Sequence, residues 1–121
     1  MSTDVFVYGT LKPGQHRWAI LAPFVIEPEP AVSASASGRL FDTGYGWPAA
    51  VFDPRAADRV PGVVVALHPA SAEEALAVLD DGEGVYSGLF RRVLVDVEGR
   101  PCWTYHWPGA TAEFRRITLW Q

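Results

Sequence analysis

Hydrophobic positions in this chain occur in short runs that predict strands more often than helices. Val5 to Tyr8 is β-branched and aromatic, which is typical of a buried strand. Ala31 to Ser37 alternates small apolar residues with serine, and this pattern continues through Phe41, as in a strand with one buried face. Val63 to Leu67 is continuously apolar, which favours a strand buried on both faces. Further strands are predicted over residues 49–52, 90–97 and 102–107.

One segment has clear helical periodicity, and its apolar face consists of Ala72, Ala75, Leu76 and Leu79. Ser71 is predicted as the N-cap, with Glu74 completing a capping box, and Gly82 is predicted to end the helix. Residues 15–22 predict a second, short helix, whereas the tail over 113–120 fits either a strand or a helix. Strands and helices do not alternate, so a doubly wound fold is excluded. An α+β protein with a curled sheet or small barrel is favoured.

The composition predicts a folded protein with one domain spanning residues 1–121. The chain is 49% hydrophobic and 12% aromatic, which is typical of a globular core and not of a disordered segment. Its formal net charge is −4 and it carries no basic stripe, so nucleic acid is not an expected partner.

The expected location is the cytoplasm. No signal peptide and no apolar run of membrane-spanning length are evident, so a membrane is not an expected partner either. The single cysteine, Cys102, has no intramolecular disulfide partner and is expected to be a packed, inert thiol. Nothing in the chain indicates an oligomeric state.

The first chemically suggestive feature is the break that follows the N-terminal strand. Gly9 permits a tight turn or a close backbone approach, and Pro13-Gly14 closes the turn. The backbone N–H groups of Gly9, Thr10 and Leu11 leave the strand without ladder partners, so they form a natural cradle for an anion or a carbonyl oxygen. By itself, the same segment fits a strand that simply ends in a tight turn.

Glu83 is the candidate for acid–base chemistry. It lies just past the helix, between Gly82 and Gly84. The negative end of the helix dipole and any burial would both raise its pKa toward the range that a general base needs. The competing interpretation is an ordinary solvated acidic turn over residues 80–84.

Other chemistries have weaker support. His16, His68 and His106 are far apart and lack metal-ligand spacing, so no metal site is predicted. The acidic turn lacks the surrounding pattern of an EF-hand. The glycines at 9 and 14 are not followed by the Gly-Lys-Ser/Thr ending of a phosphate loop, and the chain has no nucleophile elbow.

Several motifs, in their order along the chain, resemble the gamma-glutamylcyclotransferase family. The two most specific are Tyr8-Gly9-Thr10-Leu11 and Leu79-Asp80-x-x-Glu83-Gly84. The supporting matches are Gly38 to Phe41, Trp47-Pro48-Ala49, Pro61 to Val64, Arg92 and Tyr105. Together they cover roughly residues 4 to 107, which is most of the chain.

The resemblance implies a small mixed β-barrel of about six strands with one or two flanking helices and a pocket at one end. It implies that the loop from Tyr8 to Leu11 holds a gamma-glutamyl group through backbone amides and that Glu83 is the acid/base. The implied partner is therefore a small-molecule gamma-glutamyl substrate. Ring closure by the substrate's own amine requires no metal or cofactor.

Substrate binding is also expected to involve Trp47, Pro48, Tyr86 and Phe90. The family has a tyrosine near the arginine that opens the strand after the glutamate, and here Phe90 takes that position without a hydroxyl. Tyr86, on the preceding loop, is the candidate to replace it.

Two alternatives from other functional classes remain open. The first is a non-catalytic barrel that holds a small acid in the same pocket, with Tyr45, Trp47 and Tyr86 at its rim. The second is an interaction module that uses exposed tryptophans, because Trp103 and Trp107 lie on the same face of one strand. Core packing explains that spacing equally well.

Overall fold

The part of the chain that the computed structural model describes, residues 2–26 and 32–121, contains seven strands and two α-helices. The strands are β1 (Asp4–Val7), β2 (Val32–Asp42), β3 (Pro48–Phe52), β4 (Arg59–Ala66), β5 (Arg91–Val97), β6 (Arg100–His106) and β7 (Arg115–Ile117). The helices are α1 (Trp18–Leu21) and α2 (Ala72–Gly82), and short 3-10 turns cover Ala22–Phe24, Pro69–Ser71 and Val85–Ser87. The predicted start of the second strand, Ala31, lies outside the described residues.

Six of these strands form one strongly curved sheet in the order β3-β2-β4-β1-β6-β5, with the short β7 added beside β2. Strands β1 and β6 are parallel, whereas the other neighbours are antiparallel, so the sheet is mixed. Where β6 ends, the Trp107 N–H donates to the Ala50 carbonyl on β3 at 2.8 Å. This contact nearly closes the sheet into a barrel, as the resemblance implied.

The barrel has apolar residues on both faces of its central strand. On β1, Val5 and Val7 pack with the apolar face of α2, which the periodicity placed correctly. Phe6 and Tyr8 point the other way, into a second cluster with the neighbouring strands. Burial on both faces explains why this strand has no polar alternation.

The predicted capping box is wrong. Ser71 belongs to the 3-10 turn that precedes α2, and its hydroxyl makes no capping bond to the helix. Its Oγ instead lies 3.5 Å from the carbonyl oxygen of His68. The turn itself leads the chain into the helix, because the Ala72 N–H donates to Pro69.

The helix ends at Gly82, as predicted, and Gly82 is its last helical residue. Glu83 is the C-cap, and its N–H donates to the Leu79 carbonyl at 2.9 Å. Gly84 has a φ of +69°, the left-handed conformation that terminates helices at little cost only for glycine. The end of α2 therefore holds Glu83 in place between the helix and the turn.

Three remaining expectations have clear outcomes. The predicted short helix is present as α1 with its 3-10 extension, and the ambiguous tail contains the strand β7. Cys102 is fully buried, and burial raises the pKa of its thiol to about 11. A thiol this protonated at neutral pH is a poor nucleophile, in agreement with the predicted inert side chain.

Candidate active site

A cavity of about 290 Å³ opens at one end of the barrel, where β1 ends beside the start of β3 and the end of α2. All the predicted site residues except Tyr86 line it: Tyr8, Gly9, Thr10, Leu11, Trp47, Pro48, Glu83 and Phe90. The fold thus joins segments that lie far apart in sequence, and it places the candidate acid/base in the same cavity as the candidate amide cradle.

The amide cradle is formed by the loop that follows β1. The Lys12 N–H closes a turn onto the Gly9 carbonyl at 3.1 Å. Within residues 2–26 and 32–121, the N–H groups of Gly9, Thr10 and Leu11 donate to no protein acceptor. Three unpaired donors beside a cavity are suited to hold an oxygen that carries partial negative charge.

Gly9 is required here because the loop passes very close to β3. A Cβ atom at this position would lie 2.6 Å from Cγ of Pro48 and 2.9 Å from its Cδ. Any larger residue at position 9 would therefore push the loop away from the cavity wall that Pro48 forms.

Glu83 is a largely buried carboxylate, with only 14% of its side chain exposed. Burial raises its pKa above the usual glutamate value, and the nearby Arg17 guanidinium opposes but does not cancel that effect. Arg17 Nη1 lies 3.4 Å from Glu83 Oε1 and also 3.4 Å from Thr10 Oγ1. Arg17 therefore bridges the carboxylate and the cradle loop.

Behind the cavity, a second carboxylate on α2 holds the barrel wall together. Asp80 Oδ1 accepts a hydrogen bond from the Tyr105 hydroxyl at 2.8 Å and lies 2.9 Å from Arg92 Nε. Tyr8 donates its own hydroxyl proton to the Tyr105 carbonyl at 2.6 Å. These contacts tie α2, β5 and β6 to the end of β1.

Neither of the two buried tyrosines is suited to act as a base. Burial raises the pKa of Tyr8 well above its ordinary value, and the negative charge of Glu83 adds to the effect. The pKa of Tyr105 is also raised, first by burial and then by its hydrogen bond to Asp80. Both hydroxyls remain protonated at neutral pH, so Glu83 is the candidate proton acceptor.

One wall of the cavity is aromatic. Trp47 and Phe90 lie 5.6 Å apart between ring centroids, and Trp107 packs against both at 5.9 and 5.4 Å. Tyr45 stacks on Trp47 at 6.0 Å but is 74% exposed, so it extends the rim outward. Such edge-to-face and stacked contacts fix the rings and leave an apolar surface toward the cavity.

The structure places Tyr86 outside this cavity. It lies on the 3-10 turn Val85–Ser87, and 75% of its surface is exposed. Left-handed glycines flank the turn at positions 84 and 88 and direct it outward. The position of the missing hydroxyl of Phe90 is therefore not filled from this loop.

Trp103 and Trp107 pack against the core and do not form an exposed pair. The Trp103 indole N–H donates to the Ser2 carbonyl at 3.0 Å, and Arg92 lies over its ring. Trp107 belongs to the aromatic wall described above. Core packing thus accounts for the spacing that had raised the interaction-module alternative.

Among the cavity-lining residues that the sequence-based prediction missed, Arg17 and Tyr105 are the two with polar side chains. Arg17 lies 66 positions from Glu83, and no motif or periodicity connects them. The sequence analysis named Tyr105 only as a supporting match to the family, although this residue lines the cavity wall. Its hydrogen bond to Asp80 depends on how α2 packs against β6, which no local sequence pattern indicates.

In the described part of the chain, no group of three or more His, Cys, Asp or Glu side chains is arranged to hold a metal ion. None of the helices in the same residues is both long enough and apolar enough to cross a membrane.

The fold and cavity define a class: a small, nearly closed mixed barrel with a buried carboxylate and an amide loop at one end. The family model described as gamma-glutamyl cyclotransferase, AIG2-like, matches residues 5–119. The chain therefore belongs to the AIG2-like gamma-glutamyl cyclotransferase family, and the resemblance seen in its motifs is confirmed.

Solved structures share this fold. An AIG2-like protein from Mus musculus is 20% identical with a TM-score of 0.76, covering 98% of this chain and 88% of that one. An uncharacterised protein from Pyrococcus horikoshii is 19% identical with a TM-score of 0.69, covering 97% and 86%. A gamma-glutamyl cyclotransferase is 21% identical with a TM-score of 0.61, covering 96% and 70%. At these identities the likeness establishes the fold alone. The comparison with curated proteins found no match.

Proposed function

We propose that this protein is an enzyme that cyclises a small gamma-glutamyl amine or amide to 5-oxoproline and releases the free amine. The observation that carries the proposal is the shared cavity, in which a desolvated carboxylate at Glu83 lies with a loop whose three backbone donors have no acceptor among the described residues. Family membership supports the same reaction class.

In the proposed reaction, the α-amine of the gamma-glutamyl group attacks its own γ-carbonyl carbon. A C–N bond forms to close a five-membered ring, and the C–N bond to the leaving amine breaks. The nucleophile is tethered to its target, so its effective concentration can reach on the order of 10⁵ M in well-oriented cases. The protein then has to manage only the proton transfer between the two nitrogens and one developing charge.

Glu83 carries the proton. It removes a proton from the α-ammonium group, which frees the nitrogen lone pair for attack, and it returns that proton to the departing nitrogen. The ring nitrogen loses a second proton as the ring closes, and this proton also ends on the released amine, which leaves as an ammonium ion. A carboxylate with a raised pKa is suited to both steps because it binds and releases a proton nearer neutral pH. The balance is complete without a metal ion, an oxidant or a second substrate.

The loop from Gly9 to Leu11 stabilises the developing charge. As the tetrahedral intermediate forms, the carbonyl oxygen becomes negative, and the unpaired N–H groups in the cavity wall would donate to it. The contact between Gly9 and Pro48 keeps this loop close to the cavity. Trp47, Pro48 and Phe90 provide the apolar wall on which the substrate rests.

The test is to incubate the purified protein with a panel of gamma-glutamyl amino acids and amines and to measure 5-oxoproline by mass spectrometry. The expected result is release from at least one panel member by the wild type and none by Glu83→Gln. Release that persists at the wild-type rate in Glu83→Gln would contradict the assigned role of Glu83.

A second candidate, a barrel that binds a small acid without turning it over, is favoured by one observation. Phe90 lines the cavity where the family has a tyrosine, and Tyr86 does not supply the missing hydroxyl. Calorimetry with the same panel separates the two functions, because binding without any 5-oxoproline release would favour this candidate.

A further inference from the structure

The cavity contains a cationic side chain that the reaction described above does not use. Arg17 is the one cation among the residues that line the described cavity. Its side chain is 23% exposed, and its backbone N–H donates to the Thr10 carbonyl at 3.0 Å. The cradle loop thus fixes the position of Arg17 at the N-terminus of α1.

The two side-chain partners of Arg17 are unusually distant for hydrogen bonds to a charged group. Arg17 Nη1 lies 3.4 Å from both Glu83 Oε1 and Thr10 Oγ1, and these are its side-chain hydrogen bonds within residues 2–26 and 32–121. Charge-assisted N–H···O bonds are typically about 2.7–2.9 Å long. A guanidinium has five N–H donors, so Arg17 retains unused capacity for a planar anion.

The end of α2 leaves room for this guanidinium. A Cβ atom added at Gly82 would lie 2.9 Å from Arg17 Nη2. The absence of a side chain at this position keeps Arg17 beside Glu83 and inside the cavity.

The two adjacent charges match those of the proposed substrate. A gamma-glutamyl group carries an ammonium and a carboxylate on the same carbon atom, so their protein partners must also lie close together. We infer that Arg17 binds the α-carboxylate of the gamma-glutamyl group while Glu83 faces its α-ammonium. This inference rests on the proposed function and names the part of the substrate that Arg17 selects.

The pairing explains why the contact between Arg17 and Glu83 is loose. In the free protein, Arg17 partly compensates a buried negative charge. When substrate enters, its carboxylate offers two oxygens to the guanidinium fork, which is a better match than one distant glutamate oxygen. Glu83 is then released from Arg17 and is available for proton transfer with the ammonium group.

The test compares two substrates that differ only in the α-carboxylate. A gamma-glutamyl amide yields 5-oxoproline, whereas the corresponding 4-aminobutanoyl amide lacks the carboxylate and yields 2-pyrrolidinone. We expect the wild type to prefer the first substrate in kcat/KM by roughly 10- to 100-fold, as for loss of a hydrogen bond to a charged group. Equal kcat/KM values would overturn the inference without any variant.

Arg17→Gln should remove that preference. Its KM for the gamma-glutamyl amide should rise by roughly 10- to 100-fold with a much smaller change in kcat, while kcat/KM for the 4-aminobutanoyl amide should fall far less than kcat/KM for the gamma-glutamyl amide. Arg17→Lys, which keeps the charge but not the fork, should lie between the two. Arg55→Gln, at an exposed position away from the cavity, is the matched control. An equal loss on both substrates would mean that Arg17 acts through Glu83 or the loop, and would overturn the inference.

Failure of the proposed function is distinguishable from failure of this inference. If no gamma-glutamyl substrate is turned over, calorimetry with L-glutamine and 4-aminobutanamide still tests Arg17. Binding of L-glutamine alone by the wild type, and of neither compound by Arg17→Gln, supports the inference. Equal binding of the two compounds, or binding of neither by the wild type, overturns it.

Discussion

Asp80 and Glu83 carry the same chemical group near the end of one helix, yet their surroundings differ. Both are largely buried, with 10% and 14% of their side chains exposed. Asp80 has two partners within 3 Å, the Tyr105 hydroxyl and Arg92 Nε. Within residues 2–26 and 32–121, the Glu83 carboxylate has one partner, Arg17 Nη1 at 3.4 Å. Burial alone therefore does not separate a structural carboxylate from the proposed catalytic one, whereas the distances to their donors do.

The local geometry of the helix end produces this difference. Asp80 is still within α2 and reaches side chains of β5 and β6. Glu83 lies one position past the helix, where Gly84 turns the chain, and its side chain enters the cavity. A carboxylate held by short hydrogen bonds stabilises the fold, whereas a carboxylate with one distant donor is free to exchange a proton.

The largest expected effect is on turnover by Glu83→Gln. General acid–base catalysis typically contributes about 10²- to 10⁴-fold, so kcat should fall by that factor because the amide cannot accept the proton. Steady-state assays of 5-oxoproline release check it, with circular dichroism to show that the fold is retained.

The matched control is Asp81→Asn, which changes a neighbouring exposed carboxylate in the same helical turn. It should keep kcat within about twofold, because surface substitutions rarely perturb a fold or site. A similar loss in both variants would show that general charge near the helix end, and not proton transfer by Glu83, accounts for the effect.

Asp80→Ala should produce the largest loss of stability. It leaves the Tyr105 hydroxyl and Arg92 without their shared acceptor, which should reduce the free energy of unfolding by about 2–4 kcal/mol. Urea unfolding monitored by tryptophan fluorescence measures this loss. Asp80→Asn retains an acceptor oxygen and should lose less. A loss below about 0.5 kcal/mol in Asp80→Ala, the size expected of ordinary surface changes, would contradict the structural role of Asp80.

Glu83→Gln should instead gain stability relative to the wild type as pH rises. Burial raises the folded-state pKa of Glu83, so the folded protein holds that proton more tightly than the unfolded chain. The resulting stabilisation is complete below the ordinary glutamate pKa of about 4.3 and is lost as pH rises through the higher folded value. Urea unfolding of both proteins near pH 4 and pH 8 checks the direction. A stability of Glu83→Gln relative to the wild type that stays constant or falls between pH 4 and pH 8 would contradict it.

The smallest effect is expected for Gly82→Ala. The new methyl group meets Arg17 Nη2, which is the flexible end of a side chain and can move aside. Helix propensity favours alanine by up to about 1 kcal/mol, so stability should be unchanged or slightly higher. The displaced guanidinium should raise KM by several-fold while kcat changes little. An unchanged KM would show that the precise place of Arg17 is unimportant.

Much of the barrel was predictable because its strands are short, apolar and separated by clear turns. The central strand from Val5 to Val7 and the helix face containing Leu76 and Leu79 follow directly from periodicity. The helix end at Gly82 was predictable, but the left-handed residue that follows it was not, because Gly82 and Gly84 can both take that conformation. Of these two glycines, Gly84 is the one that takes the left-handed conformation.

Site residues that belong to a sequence motif were predictable, whereas the positions that depend on tertiary packing were not. The loop after β1 and Glu83 were candidates from the residues themselves and from the family resemblance, and the fold places both in one cavity. Tyr86 is near Glu83 in sequence, but the outward 3-10 turn removes it from the cavity. Arg17 joins the site only because α1 packs beside the end of α2, a contact without a local sequence signal.

The most direct test of the contrast between the two carboxylates is a pH titration of the wild type that follows side-chain carboxyl carbons by ¹³C NMR. The Glu83 signal is assigned by its absence from Glu83→Gln. The account predicts that Glu83 titrates with a midpoint clearly above the ordinary glutamate value of about 4.3. A midpoint at or below that value would mean that Arg17 holds Glu83 as a fixed ion pair, and would contradict its role as the base.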